Sequence, residues 1–290
     1  MLRPAYGLRQ VFGTFRGVRL FLSNLLVAFG IVSALLRLMG ALLPAQFNEP
    51  RTTTTLTLVV CVVWGLVRTY PRARIRHEFK HPTIAVTIGI GDLFEQEAHI
   101  VVGFSDTFDT ETTGDRVISG TSVQGQLLER YYDGDRARLD RDLNAALAHI
   151  KPLCSETRSS KRKGKLARYP IGTVAVVGEP SRLTFGLAYS RMGNDLVARS
   201  SVDDLWLSLN RLWDAVYERG QQRCVAMPVT GSGLARIDSL DRGSLIRMIL
   251  LSFMARSREV LVARELRIVI WPPDLKTIDM LELVAFVRSL

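Results

Sequence analysis

The sequence predicts an α/β domain, a mixed sheet sandwiched by helices, preceded by a two-helix transmembrane hairpin. Three observations predict it. Two long apolar runs lie near the N terminus with a proline-marked polar turn between them. Arginines flank both runs on their outer sides, and from about Pro82 the pattern shifts to short apolar strands alternating with amphipathic helical stretches.

The first run, Leu20 to Leu43, is 24 residues with one charge, about 36 Å as a helix and enough to cross a bilayer. It is too long for the apolar core of a signal peptide, and a second span follows it. Pro44 stops it, residues 46–51 turn the chain, and Thr52 to Val67 supplies a second run of 16 residues. At about 24 Å that run is shorter than the hydrocarbon core, so it must thin the bilayer, recruit its flanks or belong to an oligomer. Arg37, inside the first run, either snorkels outward or lines the interior of an assembly.

The net charge is +10, but residues 1–80 carry +9 of it, with eleven Arg or Lys against Glu49 and Glu78. Arg3, Arg9, Arg16 and Arg19 precede the first run, and Arg68, Arg72, Arg74 and Arg76 follow the second. By the positive-inside rule both ends face the cytoplasm, against an anionic leaflet. The expected organisation is a basic segment at 1–19, a hairpin at 20–67 with spans 20–43 and 52–67, a basic juxtamembrane linker at 68–81, and an α/β domain over 82–290. Cys61, Cys154 and Cys224 are too far apart for a disulfide framework or a zinc site, and four scattered histidines add no metal cluster.

Within the domain, strands are expected at 83–90, 99–104, 172–177, 183–189, 223–229 and 266–271, and helices at 123–132, 136–150, 201–219, 244–257 and 275–289. The strands 172–177 and 183–189 form a hairpin around Gly178 and Pro180. The closing strand, helix, strand order calls for parallel pairing. Ser201 and Asp204 suggest a capping box, and Trp206 and Trp213 suit a core or an interface. Ser155 to Arg168 holds six Arg or Lys and reads as a solvated loop or a contact for anionic headgroups. Aromatic residues do not interleave with its charges, so no nucleic-acid platform is expected.

Two glycine-bearing turns open helices, where free amides and the positive end of the helix dipole hold phosphate. The first is residues 119–125 (SGTSVQG); the second, residues 229–236 (VTGSGLAR), follows a strand at the carboxyl edge of the sheet. Neither closes with Gly-Lys-Ser/Thr and neither has three-glycine dinucleotide spacing, so ATP hydrolysis is not expected.

The succession of Gly91-Asp92-Leu93 after an early strand, a glycine turn opening a helix, and Gly231-Ser232-Gly233 resembles the macro domain over about Pro82 to Leu290. The resemblance implies a macro-like sheet binding an ADP-ribose derivative. Asp92 would accept from the adenine amine beside Leu93, while the backbones of Ser122, Val123, Gln124 and Gly125 and of Thr230, Gly231, Ser232, Gly233, Leu234 and Ala235 would grip phosphates. Hydrolytic macro domains carry an asparagine-rich segment after the second strand, but here it is Phe104-Ser105-Asp106-Thr107-Phe108-Asp109. Asp106 or Asp109 is the remaining candidate for a general base, and binding without turnover is the favoured expectation.

With its two N-terminal spans, the chain looks like the membrane effectors of Thoeris-type bacterial antiphage systems. The resemblance implies an inner-membrane protein with cytoplasmic N terminus and domain. Its ligand would be an ADP-ribose-derived signal made by a TIR-domain partner, and its output assembly into a homo-oligomer and disruption of the lipid bilayer. The alternatives are a tethered ADP-ribosyl hydrolase and an anchored protein-binding scaffold.

Overall fold

The computed structural model describes residues 4–42, 50–233, 237 and 239–290. The chain divides into two compact units, Met1–Ala73 with Asp279–Phe286, and Arg74–Ile278 with Val287–Leu290.

The first unit contains α1 (Pro4–Gly13), α2 (Phe15–Leu42) and α3 (Pro50–Thr69). Helix α2 is about 42 Å long and α3 about 30 Å. The second apolar run recruits its flanks: helical structure extends through Pro50 and Arg51 at one end and Arg68 and Thr69 at the other, with Pro50 at the first helical position, where its missing N–H costs nothing. The helices form a hairpin, because Asn24 Nδ2 donates to Thr69 Oγ1 at 3.1 Å and joins the start of α2 to the end of α3. Ala28 and Cys61 are buried, while Leu26, Leu38, Leu58 and Val67 are exposed. Only 6% of the most apolar stretch of α2 and 17% of that of α3 is buried, whereas a helix in a soluble core is covered on its apolar stripe. Both helices are long and apolar enough to cross a membrane, and Arg37 is exposed on α2.

The second unit begins with β1 (Arg74–Lys80) and β2 (Thr83–Ile90), followed by β3 (His99–Ser105), α4 (Val123–Tyr132) and α5 (Arg136–Leu147). Two short strands, β4 (Cys154–Ser155) and β5 (Ala167–Arg168), bound the basic segment. Then come β6 (Val174–Glu179), β7 (Arg182–Met192), β8 (Ala198–Arg199), α6 (Val202–Arg219), β9 (Val225–Pro228), α7 (Arg242–Glu259), β10 (Glu265–Ile270) and α8 (Met280–Ser289). Helix α8 falls largely in the first unit.

The sheet runs β1-β2-β10-β9-β3-β7-β6, with β8 paired to β7. Its five central strands are parallel and its flanking pairs, β1 with β2 and β6 with β7, antiparallel. The expected hairpin and the parallel pairing of the closing strands are both present. Strand β1 occupies the segment read as a linker; charged residues along a sheet edge discourage pairing with other chains.

One face of the sheet presents Ile100, Val102 and Phe104 of β3 with Ala175 and Val177 of β6 to Leu127 and Leu128 of α4 and Leu139 and Leu143 of α5. Val101, out of phase with these, is also fully buried, so both sheet faces are covered. Helix α6 lies against β7 and α7, with Trp213 edge-on to Phe253 at 5.2 Å and its indole N–H donating to Ser252 Oγ at 2.9 Å. Trp213 is thus a core residue, whereas Trp206 is exposed. The Ser201 cap forms, its hydroxyl accepting from the Asp204 amide at 3.0 Å, but the Asp204 carboxylate pairs with Arg191 instead of completing the box.

The basic segment is not simply a solvated loop. Lys161 is fully buried, with its ammonium 2.9 Å from the Asp109 carboxylate and donating to the Lys165 carbonyl at 2.7 Å. The Lys165 amide also donates to Asp109, its ammonium pairs with Asp140 at 2.6 Å, and Arg168 bridges Asp106 and Glu156. Within the segment Arg158 and Arg162 remain exposed.

Candidate functional site

A cleft of about 760 Å³ opens in the second unit where the five parallel strands end. Its lining comes from the ends of all five: Gly91 and Asp92 after β2, Trp271 after β10, Val229 to Gly233 after β9, Phe104 and Ser105 of β3, and Ser190 and Met192 of β7. Strand order changes direction beside β3, since β9 and β7 flank it, and carboxyl edges at such points are where α/β folds hold ligands.

The first glycine turn sits at the N terminus of α4. Ser122 caps the helix by accepting from the Gly125 amide at 3.0 Å and donating to the Ser119 carbonyl at 2.6 Å. The Val123 and Gln124 amides, in the first helical turn, have no intrahelical acceptor and lie at the positive end of the dipole. Gly125 is required sterically: a Cβ there would lie 2.5 Å from the Ser119 carbonyl oxygen and 2.6 Å from that of Gly120. The Gln124 side chain donates to the Asp109 carbonyl, tying the turn to the interior.

The second turn leaves β9 at Pro228. Gly231 has φ +89°, a conformation that side chains disfavour, and a Cβ there would crowd Ile237 and Leu245. Ser232 Oγ donates to the Val229 carbonyl at 2.7 Å, and Thr230 Oγ1 to that of Pro228 at 3.4 Å. Gly233 faces open space, with nothing within 4 Å of where a Cβ would stand. Thr230, Gly231, Ser232 and Gly233 thus line the cleft, while Leu234 and Ala235 lie outside the described residues.

Asp92 is held by a clasp. Its Oδ1 accepts from the Phe94 amide at 2.8 Å, capping a 3₁₀ turn over Leu93–Glu95, and its Oδ2 meets Arg130 Nη1 at 2.5 Å. Arg130 also lies over the Phe94 ring, and Arg182 lies over Tyr131. Leu93 is buried and contributes mainly to the core. Asp92, Leu93, Ser122, Val123, Gln124 and the described part of the second turn are brought to one cleft; Gly125 lies behind the first turn as its steric support.

The lining residues that sequence reasoning missed include Tyr189, Trp271, Asp274 and Arg116. The Tyr189 ring lies against Gly103 of β3, where a Cβ would come within 2.5 Å of it; burial pushes its phenol up to about 12. Trp271 is half-exposed at the end of β10, and Asp274 pairs with Arg242 at 2.9 Å. Arg116 is exposed on the rim and makes no ion pair with a described residue; among the described lining residues it is the one Arg or Lys. A lone tyrosine, tryptophan or arginine has no motif, so only the strand order reveals their convergence.

Asp106 and Asp109 do not line the cleft. Asp109 is fully buried against Lys161 and Thr107, and Asp106 accepts from Arg168 and from the Met192 amide, both at 2.8 Å. Both carboxylates act as interior ion-pair partners. Among the described residues no cluster of His, Cys, Asp or Glu is arranged to hold a metal.

A mixed sheet between helices with two glycine turns at its carboxyl edge defines a macro-type domain. Two point mutants of the Oceanobacillus iheyensis macrodomain superpose on the chain with a TM-score of 0.50 each, one at 12% identity covering 76% of this chain and 100% of its own, the other at 13% identity covering 75% and 94%. The family model described as "Thoeris protein ThsA, Macro domain" matches residues 86–271, and the chain belongs to that family. No curated protein matches it in sequence.

Proposed function

We propose that this protein is a membrane-anchored sensor and effector of bacterial antiphage defence. Its cleft binds an ADP-ribose-derived signal made by a TIR-domain partner, and the occupied protein assembles and disrupts the inner membrane through its apolar hairpin. The observation that carries the binding half is the convergence of the capped N terminus of α4 and the Gly231–Gly233 turn on one cleft at the carboxyl ends of five parallel strands. A diphosphate carries charge that helix amides and backbone N–H groups stabilise. Membership of the Thoeris ThsA macro-domain family supports the defence role. The exposed apolar surfaces of α2 and α3 support the membrane role.

Binding rather than hydrolysis is the better reading of the site. Hydrolysis needs a base within reach of the scissile group. Asp106 and Asp109 are committed to interior ion pairs, the cleft carboxylates Asp92 and Asp274 are paired with Arg130 and Arg242, and the third, Asp115, accepts from the Gly120 amide at 2.6 Å.

Calorimetric titration of the full chain in lipid nanodiscs with ADP-ribose and its derivatives tests the sensor. Saturable binding is expected, and Gly233→Glu, which adds a carboxylate where the structure has room, should abolish it. If none of these nucleotides binds, the sensor reading fails. Ligand-dependent dye release from liposomes tests the output.

A further inference from the structure

We propose that α1 is an interfacial anchor, lying flat at the headgroup level of an anionic leaflet with Leu8 and Phe12 in the acyl boundary. This rests on reading α2 and α3 as membrane spans and assigns a lipid contact to a segment that the sequence marks only as basic.

Helix α1 is not a continuation of α2. At Thr14 the helix breaks: its hydroxyl donates to the Gln10 carbonyl at 2.8 Å and accepts from the Gly17 amide at 3.0 Å. A Cβ on Gly17 would fall 2.5 Å from the Val11 carbonyl oxygen and closer still to that of Gln10. In an unbroken helix residues six apart are separated by about 9 Å along the axis. The chain therefore turns sharply, and α1 lies across the end of α2.

Its inner face is committed to the same unit. Val11 and Gln10 are buried, the Gln10 side-chain oxygen accepts from the Met280 amide at 3.1 Å, and Gly7 lies so close to the Tyr70 ring that a Cβ would collide with it. Tyr70 directly follows α3 and α1 directly precedes α2, so the Gly7–Tyr70 contact sets α1 where both helices end. The outer face is apolar: Leu8 and Phe12, at i and i+4, are 45% and 52% exposed, with Phe12 edge-on to Phe21 of α2 at 5.3 Å. Exposed Arg9 borders this stripe, and Arg16, Arg19, Arg68 and Arg72 are exposed on α2, α3 and the segment after it.

Residues 4–42 and 50–73 hold seven arginines and no Asp or Glu. An apolar stripe bordered by arginine, continuous with exposed apolar helices, has the composition of a helix lying in a bilayer interface. Against these seven arginines the described residues of the unit set only Asp279 and Glu282, and the net positive charge selects an anionic lipid surface over a second copy of the same cationic helix.

The test is photo-cross-linking of the full chain in nanodiscs of equal parts phosphatidylglycerol and phosphatidylcholine, with p-benzoylphenylalanine in place of Leu8 and, in a second protein, of Leu38 within α2. Leu8 should yield lipid adducts enriched about twofold or more in phosphatidylglycerol over its share of the bilayer. Lipid adducts at Leu38 with none at Leu8, or adducts from Leu8 to a second copy, would overturn the anchor while leaving the spans intact. Equal labelling of the two lipids would overturn the anionic preference. A Leu38 probe that never meets lipid would remove the membrane reading itself.

Discussion

The Lys161 ammonium stands 2.9 Å from the Asp109 carboxylate, and both side chains are completely shielded from solvent. Thr107 and the Lys165 amide supply further donors to the same carboxylate. Removing one partner of such a pair strands the other as a buried charge, which costs about 3–5 kcal/mol, whereas an apolar replacement of both is far milder. Lys161→Met should therefore lower the thermal midpoint of the detergent-solubilised chain by several degrees. Pairing it with Asp109→Leu should restore most of the loss. Equal midpoints for the parent and Lys161→Met would show that the pair holds nothing together.

That pair also marks the limit of sequence reading. The hairpin of β6 and β7 is legible because apolar residues run to either side of Gly178, and α6 because leucines recur at helical spacing. Strand β1 is hidden because Arg74, Arg76, Glu78 and Lys80 alternate with only Ile75, His77 and Phe79, and its arginines suit a membrane flank equally well. The burial of Lys161 depends on a partner 52 residues away; no local composition reveals it. At the cleft, glycine turns carry a local signal, whereas Tyr189, Trp271 and Arg116 meet through strand order alone.

Gly125 is the most sensitive position in the first turn. A methyl group there meets two backbone carbonyl oxygens, neither of which is the end of a flexible side chain. Gly125→Ala should shift the start of α4, displace the Val123 and Gln124 amides and weaken nucleotide binding by about tenfold or more, each tenfold being about 1.4 kcal/mol. Titration calorimetry measures this directly. Unchanged affinity would show that the α4 amides do not hold the ligand.

Tyr189 depends on Gly103. Gly103→Ala should lift the ring from β3 into the cleft, reducing its volume and lowering nucleotide affinity with little change in midpoint. Tyr189→Phe keeps the ring and removes the donor, so it separates shape from hydrogen bonding. Full retention of binding in both variants would place the ligand away from this floor.

Arg116 brings a full charge to a cleft whose other anion-holding groups are backbone dipoles. Its attraction to a diphosphate acts at an exposed site and is screened by salt, with a Debye length of about 10 Å at 0.1 M. Arg116→Gln should weaken binding at low salt and flatten the dependence of affinity on ionic strength. Parallel salt slopes for parent and variant would remove Arg116 from the ligand's surroundings.

Glu265 gives the domain an acid-sensitive joint. Burial alone would raise its pKa, but hydrogen bonds from Arg267 and Thr87, and the nearby guanidinium charge, overcome burial and bring it down to about 2. Arg267 Nη2 is 2.8 Å away, Thr87 Oγ1 2.7 Å, and Arg76 and Arg74 of β1 approach to 3.5 and 3.9 Å. Because the folded value lies below the ordinary 4.5, the unfolded chain takes up the proton first. The carboxylate's stabilisation is complete above about pH 4.5 and is lost as pH falls through about 2. It amounts to about 3 kcal/mol at most, an order-of-magnitude figure. Thermal melts from pH 6 downward should show this loss in the parent chain, and Glu265→Gln should start lower and slope less over the same range. If both proteins lose stability in parallel, the acid sensitivity belongs to other carboxylates, and the arginines of β1 are not fastened through Glu265.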